Sequence, residues 1–206
     1  MNIRLLSALL LITSLVCASG VAAQDKTILI LGDSLSSAYG ISKDAGWVTL
    51  LQKKLQQQKR PWNIVNASVS GDTTRTGLNR LQPALKQHKP AIVIVELGGN
   101  DGLRGFSFNE IEQSLAKIIR MSREHGARVL LVGVRLPPNY GPYYNQQFAA
   151  LYQRLSKQYN IPLVPQLLAN VAEHRELMQQ DGMHPVASAQ PRVMHNVYKI
   201  LEPLLN

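Results

Sequence analysis

The stretch ILILGDSLS, residues 28–36, decides how the rest of the chain is read. Four apolar residues, Ile28-Leu29-Ile30-Leu31, run without alternation into Gly32-Asp33-Ser34-Leu35-Ser36. A strand that is apolar on both faces suits a parallel sheet covered on both sides; a half-exposed strand would alternate. Gly32 permits a sharp turn directly after it. Ser34 then stands near a strand end and, if a helix starts there, among outward-pointing amide hydrogens. From this segment alone Ser34 reads either as a helix cap or as a nucleophile with oxyanion donors at hand.

Working outward, the same kind of run recurs. Ile64-Val65 is a weaker second strand, and Ile92-Val93-Ile94-Val95 a strong third. Val129-Leu130-Leu131-Val132 is a fourth and Leu163-Val164 a fifth. Helical spacing fills the gaps. Trp47, Leu51 and Leu55 line a helix over residues 46–58, and Leu78, Leu81 and Leu85 another, with Pro83 marking a kink or a later start. Ser107 and Glu110 have capping-box spacing, and Phe106 and Ile111 stand where a hydrophobic staple closes. Ile111, Leu115, Ile118 and Ile119 form that helix's buried stripe, and Gly126 its stop. Phe148, Leu151, Tyr152, Leu155 and Tyr159 mark a fourth helix, and Val193, Val197 and Leu201 a C-terminal one. Strand-helix repetition of this kind predicts an open, doubly wound α/β sheet in three layers. Ligands of such sheets sit beyond the carboxyl ends of the strands.

Composition narrows the class. At 206 residues and 45% hydrophobic content the chain can bury a sizeable core, which excludes disorder throughout. Residues 1–23 read as a signal peptide: one Arg, an apolar run from Leu5 to Val16, then small residues, with Val21 and Ala23 before the cleavage point. The run is too short to span a bilayer comfortably, and Val16 and Ser14 are the wrong types for lipidation at Cys17. Removing 23 of the 206 residues and one of the 22 basic ones leaves 183 residues, 24–206, with a net charge of +8 and no cysteine. That predicts export to the periplasm or beyond the cell. The basic residues are scattered and no zinc finger, nucleotide loop or stacking motif accompanies them, so no nucleic-acid partner is expected. At most the charge supports transient contact with an anionic membrane surface.

The strand ends hold the candidate chemistry. Gly71, after the second strand, can present a backbone amide or simply make a turn. Asn100, in Gly98-Gly99-Asn100-Asp101-Gly102, can aim its amide into a cleft or close an Asx-turn. Ser70 is a rival nucleophile without a Gly-x-Ser-x-Gly elbow around it. Of five histidines, only His184 has a carboxylate three residues before it in a turn-like stretch, Asp181-Gly182-Met183-His184-Pro185. Asp181 can accept from one ring nitrogen and leave the other free as a base toward Ser34. Ser114-x-x-Lys117 falls mid-helix, Leu78 stands where a nucleotide loop needs Lys, and His174 with its neighbouring glutamates makes no convincing metal set.

These four blocks, in this order, resemble the SGNH hydrolases of the GDSL esterase/lipase family. The resemblance spans essentially residues 24–206, the expected catalytic domain. It implies a flavodoxin-like α/β/α sandwich with a five-stranded parallel sheet. It also implies Ser34 as nucleophile, His184 as general base and acid, and Asp181 as its orienter. The oxyanion hole would be the amides of Ser34 and Gly71 with the side chain of Asn100. Residues 95–106, VELGGNDGLRGF, and 135–141, RLPPNYG, resemble the fatty-acyl thioesterase and lysophospholipase members. This implies a mobile loop over residues 102–107 and an acyl site formed by Leu103, Arg104, Phe106, Leu136 and Pro137. The expected substrate is a small acyl ester or thioester, lysophospholipid included, cleaved by a monomer with no metal and no organic cofactor. Alternatives within the fold are a short-chain or aryl esterase and a carbohydrate O-deacetylase. Outside it stands a binding module that has lost catalysis.

Overall fold

The computed structural model describes residues 26–206, so the expected signal peptide lies outside the described residues. The apolar runs form five strands: β1 Lys26–Gly32, β2 Trp62–Asn66, β3 Ile92–Glu96, β4 Arg128–Val132 and β5 Leu163–Val164. All pair in parallel, in the order β2-β1-β3-β4-β5. Ile28 faces Ile64 on one side and Ile92 on the other, and Gly32 pairs with Glu96. Ile28 to Leu31 and Ile92 to Val95 have no exposed surface, as a central strand covered on both faces requires.

Helices cover both faces. The helix α1 (Trp47–Gln57) packs with α6 (Gln190–Leu201). On the other face, α2 (Thr74–His88) packs on α4 (Phe108–Glu124), and α4 on α5 (Pro142–Tyr159). Of the two readings at Pro83, the later start is excluded: α2 begins at Thr74 and runs through Pro83. A capping box between Thr73 and Thr76 opens that helix, and Leu81 and Leu85 on either side of Pro83 are buried. The expected box at Ser107 and Glu110 opens α4. Gly126 closes α4 with φ +81°, and the bonds Ala127 N–H to Ser122 O (3.0 Å) and Gly126 N–H to Arg123 O (2.9 Å) form a Schellman motif.

The strand order places the site. From β1 the chain crosses to β2 through α1, then back past β1 to β3 through α2. The loops after β1 and β3 therefore diverge and leave a crevice at their carboxyl ends. A short helix, α3 (Gly99–Leu103), follows β3 there.

Candidate active site

The turn after β1 is helical: Ser36 and Ser37 N–H both donate to Asp33 O. Its cap is Asp33, whose Oδ1 accepts from Leu35 N–H at 3.0 Å. Ser34 is thus free of capping, and its hydroxyl lies 2.8 Å from His184 Nε2. Asp181 fixes His184 twice over. Its Oδ1 accepts from the backbone N–H of Met183 (2.9 Å) and His184 (3.0 Å), and its Oδ2 lies 2.7 Å from His184 Nδ1. Burial raises the Asp181 carboxyl, but the two backbone N–H groups and the His184 ring outweigh it, and the net displacement is downward. An ionised carboxylate only accepts, so Nδ1 carries the ring hydrogen and Nε2 accepts from the Ser34 hydroxyl. The ring of Tyr39 lies beside the imidazole, centroids 4.6 Å apart. The rival Ser70 hydroxyl pairs at 2.8 Å with Ser37, not with a base.

Asn100, the second residue of α3, turns its amide toward the same crevice. Its Nδ2 donates to Asp33 Oδ2 (3.1 Å) and to Asp72 O (2.9 Å). Gly71 lies beside it in left-handed backbone, φ +85°. Behind these loops Arg80 binds the Asp72 carboxylate, and its guanidinium also donates to Ala67 O and Gly32 O. One side chain of α2 therefore ties the β1 loop to the β2 loop. Asp101 does the same for α3 and α2, accepting from Thr74 N–H (2.9 Å) and Oγ1 (2.6 Å). Burial raises the Asp101 carboxyl, against the pull of the Thr74 bonds.

From Ser34 and His184 a cavity of about 470 Å³ opens. Its walls are mostly apolar: Leu103, Val134, Leu136, Pro137, Leu168 and Met178, with Met183 near the histidine. Three of the five expected acyl-site residues, Leu103, Leu136 and Pro137, stand in this wall. Arg104 and Phe106 do not. The Arg104 guanidinium turns instead to Gly71 O, 3.2 Å away, and Phe106 packs half-buried against the core. The cavity is lined by protein groups that offer apolar contact on one side and the Ser34 hydroxyl, Asn100 amide and His184 ring on the other.

Residues 30–190 match the GDSL-like lipase/acylhydrolase family. The chain belongs to this family. It is 47% identical over 183 residues to "Esterase TesA" of Pseudomonas aeruginosa, covering 89% of this chain and 91% of that one. It is 47% identical over 185 residues to "Thioesterase 1/protease 1/lysophospholipase L1" of Escherichia coli K12, covering 90% and 88%. The solved structure of a psychrotrophic esterase, EstA from Pseudoalteromonas sp., inhibited by monoethylphosphonate, superposes with a TM-score of 0.84. That pair is 39% identical over 88% of this chain and all of the other.

In this acylhydrolase several groups at the site carry little or no sequence signal. Asp33 lies inside the opening block, but its cap and its bond to Asn100 appear only in the fold. Glu96 ends an otherwise apolar buried run, and a carboxylate in that place was the available signal. The far cavity wall, Leu168, Ala172, Glu173 and Met178, comes from segments without helical or strand period, so only the fold assembles it.

Proposed function

We propose that this chain is a serine hydrolase that cleaves carboxylic esters and thioesters of fatty-acyl groups through an acyl-serine. The supporting observation is the continuous hydrogen-bonded line from Ser34 through His184 to Asp181 at the mouth of an apolar cavity. The Ser34 oxygen attacks the acyl carbonyl carbon while its proton passes to His184 Nε2. Negative charge grows on the carbonyl oxygen, facing the backbone N–H groups of Ser34 and Gly71 and the amide of Asn100. That oxygen competes with Asp72 O for one amide hydrogen of Asn100, and Asp33 keeps the other. The tetrahedral centre collapses, and the alcohol or thiol leaves with the proton from His184. Water then attacks the acyl-serine, gives a proton to His184, and the acid departs as that proton returns to Ser34. Asp181 stays ionised throughout and supports the imidazolium.

The acyl chain occupies the wall of Leu103, Leu136 and Pro137; an apolar lining of this kind favours it over a sugar. The protein acts as a monomer on small acyl substrates, after export to the periplasm or medium. Among the described residues no helix is long and apolar enough to cross a membrane. Rates on p-nitrophenyl esters from acetyl to palmitoyl, with acyl-CoA and a lysophospholipid alongside, test the substrate class. Rates that rise from acetyl toward the longer acyl groups support it. A preference for acetyl alone, or for acetylated sugars, defeats it.

A further inference from the structure

Glu96 is the last residue of β3 and has no exposed surface. It lies directly beneath the turn that carries Ser34. Oε2 accepts from the Ser36 hydroxyl at 2.7 Å and from Asp33 N–H at 3.3 Å. Oε1 is buried and has no hydrogen-bond partner among the described residues. The neighbouring strand makes room for the carboxyl: a Cβ on Gly32 would come within 2.9 Å of Oε2 and 2.8 Å of Ser36. A leucine would fill such a place without the cost of burying a polar group, and no step described above uses the acid.

What Glu96 supplies is acceptor capacity under the turn, and the bonds lead on to the site. Asp33, whose main chain rests on Glu96, spends Oδ1 on Leu35 N–H and Oδ2 on Asn100 Nδ2. Resting on the catalytic reading given above, we propose that Glu96 is a positioning residue: its bonds to Ser36 and Asp33 fix the nucleophile turn and, through Asp33, the amide of Asn100. The charge pattern agrees. Burial, then the charge of Asp33, pushes the Glu96 carboxyl well above the usual range. Burial pushes Asp33 up to about 6, held back by Leu35 N–H, a hydrogen bond with Glu96, His184 and Asn100. Asp33 accepts from Asn100 with the Glu96 carboxyl beneath its main chain. The other groups around the pair are the Tyr152 hydroxyl of α5, Asp101 of α3, His184, and the Arg80–Asp72 ion pair at Gly32 O.

The test uses Glu96→Gln and Glu96→Leu in the full chain, with p-nitrophenyl octanoate as substrate. Rates are divided by the concentration of sites labelled by a fluorophosphonate. Gln keeps an acceptor for the Ser36 hydroxyl and Asp33 N–H under the turn, so E96Q stays within about 3-fold of the parent kcat. E96L loses about 10-fold or more in kcat at unchanged KM, as a misplaced constellation does. Without the Glu96 hydrogen bond Asp33 titrates higher, so the acid limb of kcat/KM moves to higher pH in E96L and stays put in E96Q. Packing alone would not move that limb. E96L with parental kcat and acid limb, or E96Q as impaired as E96L, overturns the proposal. If E96L does not fold, Ser36→Ala decides. A kcat loss of about 3-fold or more at unchanged KM supports the proposal, and parental kcat overturns it. A parent chain that neither turns over nor labels means instead that the serine-hydrolase reading has failed.

Discussion

At the scale of single residues, His184 and Asn100 of the proposed site are fixed by hydrogen bonds beyond those the chemistry uses. His184 is anchored by its own backbone N–H on Asp181 before its ring is used. Asn100 is stretched between Asp33 and Asp72 O. Such prior fixing is what makes a dipole worth more to a transition state than water is, because it need not reorganise. Asn100→Ala is therefore expected to lower kcat by about 10²–10³-fold with little change in KM, read by steady-state kinetics on one ester. Asp181→Asn leaves the shape but invites the wrong ring tautomer, and kcat falls by up to about 10⁴-fold. Parental kcat in either variant would remove that residue from the mechanism.

At the scale of elements, stability and chemistry separate. The capping box that opens α4 is exposed and joins nothing in the crevice: Ser107 Oγ accepts from Glu110 N–H, and the Glu110 side chain reaches back. Ser107→Ala should cost about 1 kcal/mol in denaturant unfolding and leave kcat unchanged. A loss of activity without a loss of stability would tie the 102–107 segment to the chemistry instead. This box was legible because it depends on neighbours three residues apart. So were β1, β3 and β4, since central parallel strands must be apolar on both faces. The hydrogen-bonded line of the proposed triad was legible because Asp181 and His184 share a turn and Ser34 follows the first apolar strand. At Pro83 the sequence is open between a kink and a later start of α2, and burial of Leu81 and Leu85 carries the helix through it. Not legible were the far cavity wall, the Arg80 tie and Glu96's bonds, which join residues 13 to 63 positions apart. Arg104 and Phe106 sit in a segment whose resemblance pointed to the acyl site, yet their side chains are used elsewhere by Gly71 O and the core.

At the scale of the molecule, the buried acids set how stability varies with pH. Asp33 rises from 3.8 to about 6, and Glu96 and Asp101 are also raised. Each binds its proton more tightly folded than unfolded, so the stability it adds is present below the unfolded value and is lost as pH climbs through the folded one. Asp181 works the other way, but only at lower pH, where its depressed carboxyl is protonated. Melting temperature should therefore be higher near about pH 5 than near about pH 8. For Asp33 alone the displacement is worth up to about 3 kcal/mol. Asp33→Asn should shrink the difference. A parent protein whose melting temperature climbs between those two conditions would contradict the assignment of the buried acids. The cluster lies at the carboxyl ends of β1 and β3, where the fold also places its ligand crevice, so the cost of burying it falls where the chemistry is.

In the proposed mechanism Ser34, activated by His184, forms the covalent acyl link. The most direct measurement is mass spectrometry of the protein after treatment with a fluorophosphonate, with the adduct mapped to its residue. One adduct is expected, on Ser34, formed far more slowly in His184→Ala and absent in Ser34→Ala. An adduct on Ser70 or elsewhere, or an unmodified parent protein, would contradict it.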